Sequence, residues 1–332
     1  MPGGRIFLIP DYIECMDDIF INTFLPVSQG ILMIFIIALI AGLMVWKKIL
    51  SQEHIDALSR ITVYVFLPCL IFSTIFSGFK PGELPIWWTI PLGTIIFTVA
   101  GTGICALLFL RKLRSVRSIL PLSSMQNAAY LALPIGQLVY RDQFDQFAVY
   151  CFLIVLGISP VLWTVGFIMV TNKSRSDISI RNLINPPLIA NVLAITLVLT
   201  NTDRFVPGLV ADTFDFIGKA TVPAATLVLG ATLGTVLKSL PPLWESLKIL
   251  FVKFVVMPVL VILLIYLTGL REDYPLLSEV LIIQAATAPA TSFIIQVRTY
   301  GGDLNRIGGH ILISYFVTLI AIPLWLAVYK LF

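Results

Sequence analysis

Long apolar segments alternate with short polar ones along almost the whole chain. Ten of these segments approach or exceed the roughly 20 residues that a helix needs to cross the hydrocarbon core of a bilayer. Their approximate bounds are 21–46, 55–77, 86–110, 118–140, 147–171, 183–200, 208–235, 243–268, 275–298 and 305–331. Because the polar breaks are short, neighbouring helices should be antiparallel. The pattern predicts an all-α polytopic membrane protein with ten transmembrane helices.

The composition agrees with this pattern. Hydrophobic residues make up 58% of the 332 residues and charged residues only 12%, whereas soluble domains carry about 25% charged residues. A soluble fold of this size could not bury so much apolar surface, so the apolar residues must also face lipid. The net charge of +4 is small, and it does not suggest a nucleic-acid partner.

The basic residues are unevenly distributed between the loops. Most of them lie in or beside the odd-numbered loops, which the positive-inside rule places in the cytoplasm. Both termini then lie outside, and we expect a multi-pass protein of the plasma membrane with a short extracellular N-terminus at 1–20. The acidic cluster Glu14, Asp17 and Asp18 follows no basic start, so we expect the first span to be retained rather than cleaved.

A basic cytoplasmic linker at 172–182 divides the spans into two sets of five, 21–171 and 183–332. Because five is odd, the two sets have opposite orientations, as in an inverted-topology repeat. Two proline pairs at one offset support the repeat. They are Pro68 with Pro223, in the second and seventh spans, and Pro134 with Pro289, in the fourth and ninth, each 155 residues apart (223 − 68 and 289 − 134).

Pro134 and Pro289 are predicted to break the fourth and ninth helices. Proline inside a helix removes one amide donor and clashes with the carbonyl four residues earlier. Backbone groups freed in a membrane cannot face lipid, so they must be buried in protein or line a wet cavity. The sequence therefore predicts two discontinuous helices in matching positions of the two halves.

The same two spans are unusually polar, which predicts a solute site near the middle of the membrane. The half-helix N-termini created by the breaks would favour an anion. The alternative is a pair of kinked helices joined by polar contacts. The predicted substrate-binding residues are Gln126, Asn127, Tyr130, Pro134, Gln284, Thr287, Pro289 and Thr291.

Charged and small residues inside other spans leave further alternatives. Asp215 and Lys219 are four residues apart in the seventh span, so they either pair near the outer surface or place charge on the solute route. The role of Lys253, within the eighth span, stays open. Gly230 and Gly234 form a small-residue face that favours helix packing over ligand binding.

The residue types needed for catalysis or metal binding are sparse. The two histidines are far apart in the sequence, and no HExxH motif is present. The four cysteines form no CxxC pair, which indicates reduced thiols in packing positions. We therefore expect no enzyme activity, no cofactor and no metal site.

Five stretches spread through both halves resemble the auxin efflux carrier family of permeases, which is related in fold to plant auxin exporters and bile-acid symporters. They are LSRITVYVFLPCLIF at 58–72, SMQNAAYLALPIG at 124–136, NPPLIANVLAI at 185–195, VPAATLVLGATLG at 222–234 and QAATAPATSFIIQVRTYGGD at 284–303. The resemblance implies two inverted five-helix repeats. It also implies a scaffold bundle of the first, second, sixth and seventh helices, and a transport domain whose fourth and ninth helices cross at their proline breaks.

By the same resemblance, Asn127 and Pro134 match the first crossover helix and Pro289 matches the second. Tyr130 departs from the family pattern, which often has glycine near the first crossover proline. The implied mechanism is elevator-type alternating access, and the family's usual substrates are organic anions.

We therefore predict a secondary transporter of a small organic anion, such as a carboxylate or an auxin-like compound. Its partners would be that solute and membrane lipid, and a homodimer is left open. The alternatives are a sodium-coupled symporter of organic acids and a non-transporting membrane receptor. The crossover spans show no mid-membrane acid for proton coupling, so uniport, exchange and symport stay open.

Overall fold

A computed structural model describes residues 9–171, 173, 185–236 and 241–331. Within these residues the regular structure is helical, and extended backbone pairs only in an isolated bridge. The predicted linker at 172–182, apart from residue 173, lies outside the described residues. So does the part of the predicted extracellular terminus at 1–8.

The principal helices are numbered here in chain order, and short helical turns connect some of them. They are α1 (Ile9–Trp46), α2 (Gln52–Gly78), α3 (Thr89–Leu108), α4 (Ala132–Val139), α5 (Arg141–Val170), α6 (Pro186–Leu199), α7 (Gly208–Gly234), α8 (Leu243–Thr268), α9 (Pro275–Ala286), α10 (Ser292–Tyr300) and α11 (Leu304–Leu331).

Seven of the described helices are long and apolar enough to cross a membrane. These are α2, α3, α5, α7, α8, α11 and the part of α1 from Phe20 to Trp46. Each occupies one of the predicted apolar segments, and α6, with 14 residues, occupies the sixth. The helices are those of an integral multi-pass membrane protein. α1 begins at Ile9, so part of the expected N-terminal segment 1–20 is helix continuous with the first span.

The fourth and ninth predicted segments are not continuous helices. The ninth is divided into α9 and α10, with non-helical backbone between them. In the fourth, only the second half is a regular helix, α4, and it follows the short turn Leu120–Ser123 and an extended stretch. These two interruptions lie where the sequence analysis places the solute site.

A wide π-helical turn in α8, Val252–Val256, lies next to Pro258. Proline has no amide hydrogen to donate to the carbonyl four residues earlier, which here is that of Phe254. The indole Nε1 of Trp325 in α11 donates to that carbonyl at 2.7 Å. A neighbouring helix therefore satisfies the backbone group that the proline frees, as burial in a membrane requires.

α1 and α7 pack closely through glycine. A Cβ added to Gly234 would lie 2.9 Å from the Cα of Gly42, and one added to Gly42 would lie 3.4 Å from the carbonyl oxygen of Gly230. The small-residue face of α7 is thus a packing surface, as predicted. α2 packs against α6 and α7, whereas α3 packs against α5, and α9 against α8 and α11.

Candidate functional site

Two extended segments cross in the interior of the protein, one from each interrupted span. The amide of Asn127 donates to the carbonyl of Ala288 at 2.9 Å, and the amide of Ala290 donates to the carbonyl of Met125 at 3.0 Å. Each segment therefore supplies one donor and one acceptor to the other. These two bonds satisfy backbone amides and carbonyls that have no partner within a helix, in an interior where water is scarce.

The two prolines of the interrupted spans have different roles. Pro289 lies in the crossing itself and pairs with Gln126 in an antiparallel bridge. Pro134 lies in the first turn of α4, which begins at Ala132, where a missing amide hydrogen costs little because first-turn amides lack helical acceptors. The prediction that Pro134 breaks the fourth helix in register with Pro289 is wrong, because the break precedes Pro134.

Asn127 holds the first crossing segment in place. Its Oδ1 accepts the amide hydrogen of Tyr130 at 3.0 Å, and its Nδ2 donates to the hydroxyl of Tyr315 in α11 at 2.6 Å. A side-chain bond of this kind competes with the helical backbone ladder, which accounts for a local turn before α4. Sequence reasoning missed Tyr315, because its partner lies 188 residues away.

Gln284, in the last turn of α9, connects the second segment to the first. Its Nε2 donates to the carbonyl of Ala128 at 3.2 Å and contacts the Sγ of Cys151 in α5 at 3.4 Å. The hydroxyl of Thr287 donates to the carbonyl of Gln284 at 2.9 Å. The crossing is therefore held by side chains as well as by main-chain bonds.

All eight predicted substrate-binding residues lie at the crossing or beside it. Five polar members have low exposure: Gln126 5%, Asn127 5%, Gln284 2%, Thr287 0% and Thr291 3%. Both prolines are buried, whereas Tyr130 is half-buried and lies in hydrogen-bonding contact with Ser59 of α2. The predicted residues thus form one buried polar cluster in space.

A cavity of about 480 Å³ opens beside the crossing, between α3, α8 and α9. Its floor includes Gln126, Gln284 and Ala285. Among its described lining residues none is basic. The walls are mainly apolar, and polar side chains appear where α3 begins and α8 ends: Thr89, Thr268, Asp273 and Tyr274.

Lys253 is buried near the crossing, with an exposure of 0%. Its π-helical turn packs against α3, α9 and the turn Leu120–Ser123 that leads into the crossing. The Nζ atom has no hydrogen-bond partner among the described residues. An ammonium group in a membrane interior is costly without a counter-charge, so packing alone does not explain a lysine at this position.

The first half of α9 carries an acid that the sequence analysis overlooked. Glu279 accepts a hydrogen bond of 2.5 Å from the hydroxyl of Tyr140, at the end of α4, and pairs with the Nζ of Lys330 in α11 at 3.2 Å. Glu279 lies in the first half of α9, away from the crossing, so it is not the mid-membrane acid that proton coupling would need. This acid is engaged by two partners and joins both interrupted spans to α11.

Asp215 and Lys219 form an intrahelical pair at 2.5 Å on α7. Their side chains are 51% and 69% exposed, which is typical of a surface pair that contributes little. The structure does not bring them into the polar cluster at the crossing. Among the described residues, no group of three or more histidine, cysteine, aspartate or glutamate residues is placed to hold a metal ion.

Comparison with known proteins adds independent information. Residues 26–326 match the model of a family described as membrane transport protein. The chain is also similar to an uncharacterized transporter of Methanocaldococcus jannaschii, with 24% identity over 302 residues that cover 89% of this chain and 96% of the relative. The family match includes the two interrupted spans and the helices that surround them.

Proposed function

This chain belongs to the membrane transport protein family, which is of the auxin efflux carrier type, and from that premise we propose that it is a secondary transporter of a small organic anion. The solute would be a carboxylate or an auxin-like compound. The observation that carries the proposal is the crossing of two extended segments inside the membrane region, because helix interruptions of this kind form the solute sites of many transporters.

The charge distribution around the crossing supports an anion. α4 and α10 both begin at the crossing, at Ala132 and Ser292, so the positive ends of their helix dipoles lie there. Lys253, buried nearby without a counter-ion among the described residues, adds a positive charge when protonated. Glu279, the acid on α9, is already paired.

We propose further that the fourth and ninth segments each count as one membrane crossing, which gives ten crossings in two inverted halves with both termini outside. The reciprocal main-chain bonds between the segments support a two-fold relation. An elevator movement would carry the crossing past a scaffold of α1, α2, α6 and α7, and the close packing of α1 with α7 supports that grouping.

Flux measurements on the purified protein in liposomes test this function. Labelled benzoate and indole-3-acetate should enter protein-containing liposomes in a saturable manner, but not empty ones, with parallel runs in sodium and in potassium. Accumulation of an organic cation, with no flux of any carboxylate tested, would overturn the anion proposal.

A pair of variants tests the site. Asn127→Ala should abolish flux, because it removes the amide at the crossing. Tyr315→Phe is the matched control, because it removes only the hydroxyl that Asn127 contacts and leaves the amide free to bind solute. If both variants lose flux equally, Asn127 acts through Tyr315 and does not contact the solute. Normal flux in Asn127→Ala would refute the site.

A further inference from the structure

The cavity beside the crossing lies on the opposite face of the first segment from Asn127. Successive side chains of an extended segment point to opposite sides. Asn127 points towards Tyr315 of α11, whereas its neighbour Gln126 lines the cavity between α3, α8 and α9. The cavity is therefore separate from the face on which Asn127 acts.

The floor of the cavity presents unpaired hydrogen-bond acceptors. The Nε2 of Gln284 donates to the carbonyl of Ala128, which can only accept. This bond fixes the orientation of the amide group and leaves Oε1 as the free atom. The Oε1 atoms of Gln284 and Gln126 are both buried and without partners in the described part of the chain. A buried acceptor left unpaired is destabilising, so an occupant that donates a hydrogen bond would be stabilised there.

The walls and the mouth exclude a charged occupant. Between the floor and the mouth the lining consists mainly of aliphatic side chains and Phe97, so a charge would be buried without compensation. The charged side chain at the mouth, Asp273, repels anions. A volume of about 480 Å³ lies within the range of roughly 300–1,000 Å³ that is typical of small-molecule sites.

The rim of the cavity includes residues on the outer surface of the helix bundle. Gly93 of α3 is exposed, and a Cβ added to it would meet no atom within 4 Å. Leu264 of α8 is 48% exposed. Both belong to apolar membrane-spanning helices, so this rim faces the acyl chains of the bilayer, and an occupant can enter from the membrane itself.

We propose that this cavity is a second ligand site, which binds an uncharged, lipid-like amphiphile with a hydroxyl head group. The hydroxyl donates to the Oε1 of Gln284 and accepts from the Nε2 of Gln126 at the floor, and the apolar chain lies along α3, α8 and α9. The site goes beyond the proposed transport function, since its ligand is neutral and it lies on the other face of the crossing.

Photolabelling tests the proposal without any transport measurement, so its outcome is independent of the flux assays. The probe is dodecanol with a diazirine in its chain, added to the protein in lipid nanodiscs, and labelled peptides are identified by mass spectrometry. We expect label on peptides from α3, α8 or α9 that unlabelled dodecanol displaces. Dodecyl methyl ether, which has no donor, should compete at least tenfold more weakly. Equal competition by the ether would overturn the assignment of the hydroxyl to the floor.

Two glycine variants locate the site. Gly93→Phe should fill the cavity and lower the displaceable label at least tenfold, since the ring projects into open space. Gly103→Phe is the matched control, because Gly103 lies on the same helix, also has nothing within 4 Å of an added Cβ, and is not part of the cavity lining. Unchanged labelling in Gly93→Phe, or equal loss in both variants, would show that the probe only samples the lipid-facing surface.

Discussion

Replacement of Gly230 by alanine should loosen the contact between α1 and α7. The added Cβ would lie 2.6 Å from the carbonyl carbon of Ala38, and the carbonyl oxygen and Cα of the same residue are closer still. Real Cβ atoms essentially never approach other atoms within 3.0 Å. All three atoms belong to the backbone of α1, so no side-chain rotation can relieve the clash and the helices must move apart.

The magnitude follows from two opposing effects. Overpacking of a tight interface typically costs about 1–3 kcal/mol, and the upper part of that range applies because the obstacle is backbone. Alanine regains up to about 1 kcal/mol of helix propensity relative to glycine. We therefore expect a net loss of about 1–2 kcal/mol in the free energy of unfolding. At Gly103 nothing lies within 4 Å of an added Cβ, so Gly103→Ala should show only the gain in helix propensity.

Reversible unfolding of the purified protein by titration of a denaturing detergent measures both variants against the unmodified chain. The expected order of stability is Gly103→Ala at the top and Gly230→Ala at the bottom, separated by about 2–3 kcal/mol. If Gly230→Ala were as stable as Gly103→Ala, then α1 and α7 would not be held by backbone contact, and their assignment to one rigid scaffold would lose its support.

Three further outcomes are expected. Lys253→Met should raise the unfolding free energy by about 1–3 kcal/mol, because it removes a fully buried amine that has no partner among the described residues. The same variant should lower anion flux in liposomes, because it removes a positive charge near the crossing. Lys219→Met should leave both stability and flux unchanged, since its pair with Asp215 is exposed. N-ethylmaleimide should modify Cys69, which is partly exposed, before it modifies Cys105, which is buried. Peptide mapping gives the order of modification, and earlier modification of Cys105 would contradict the packing of α3.

The positions of the regular helices could be predicted from sequence because bilayer thickness sets a length that hydropathy detects. α8, for example, occupies the predicted segment at 243–268, and α11 begins within a residue of the predicted 305. The sequence could predict that the fourth segment is interrupted, but it could not predict the position of the interruption. Hydropathy averages over a window, and proline marks a helix start as readily as a break, so Pro134 could not by itself reveal that the extended backbone lies earlier.

The polar members of the candidate site could be predicted because amide side chains are rare in apolar spans. The hydrogen-bond and ion-pair partners of the buried polar groups could not be predicted. Tyr315 resembles an ordinary span tyrosine until its contact with Asn127 is known. Glu279 lies in the largely apolar stretch that precedes Gln284 in the ninth span, and its partners come from α4 and α11. Such pairings depend on tertiary contacts, which a single sequence without covariation does not encode in any local pattern.

The bonds at the crossing and at Glu279 together indicate which parts of the protein move as a unit. Main-chain bonds join the two interrupted spans at their centre, and Glu279 joins α4, α9 and α11 away from the crossing. Relative movement within this group would break buried polar contacts, each costly in a membrane. The contact of α1 with α4 is different in kind, because a Cβ added to Gly30 would meet only the apolar side chains of Val139 and Leu138, at 3.2 and 3.5 Å. An apolar contact of this kind can slide without leaving polar groups unpaired. We therefore infer that the displacement required by the proposed elevator movement takes place along the contacts of α1 with α4 and α11, with α7 remaining attached to α1 by its glycines.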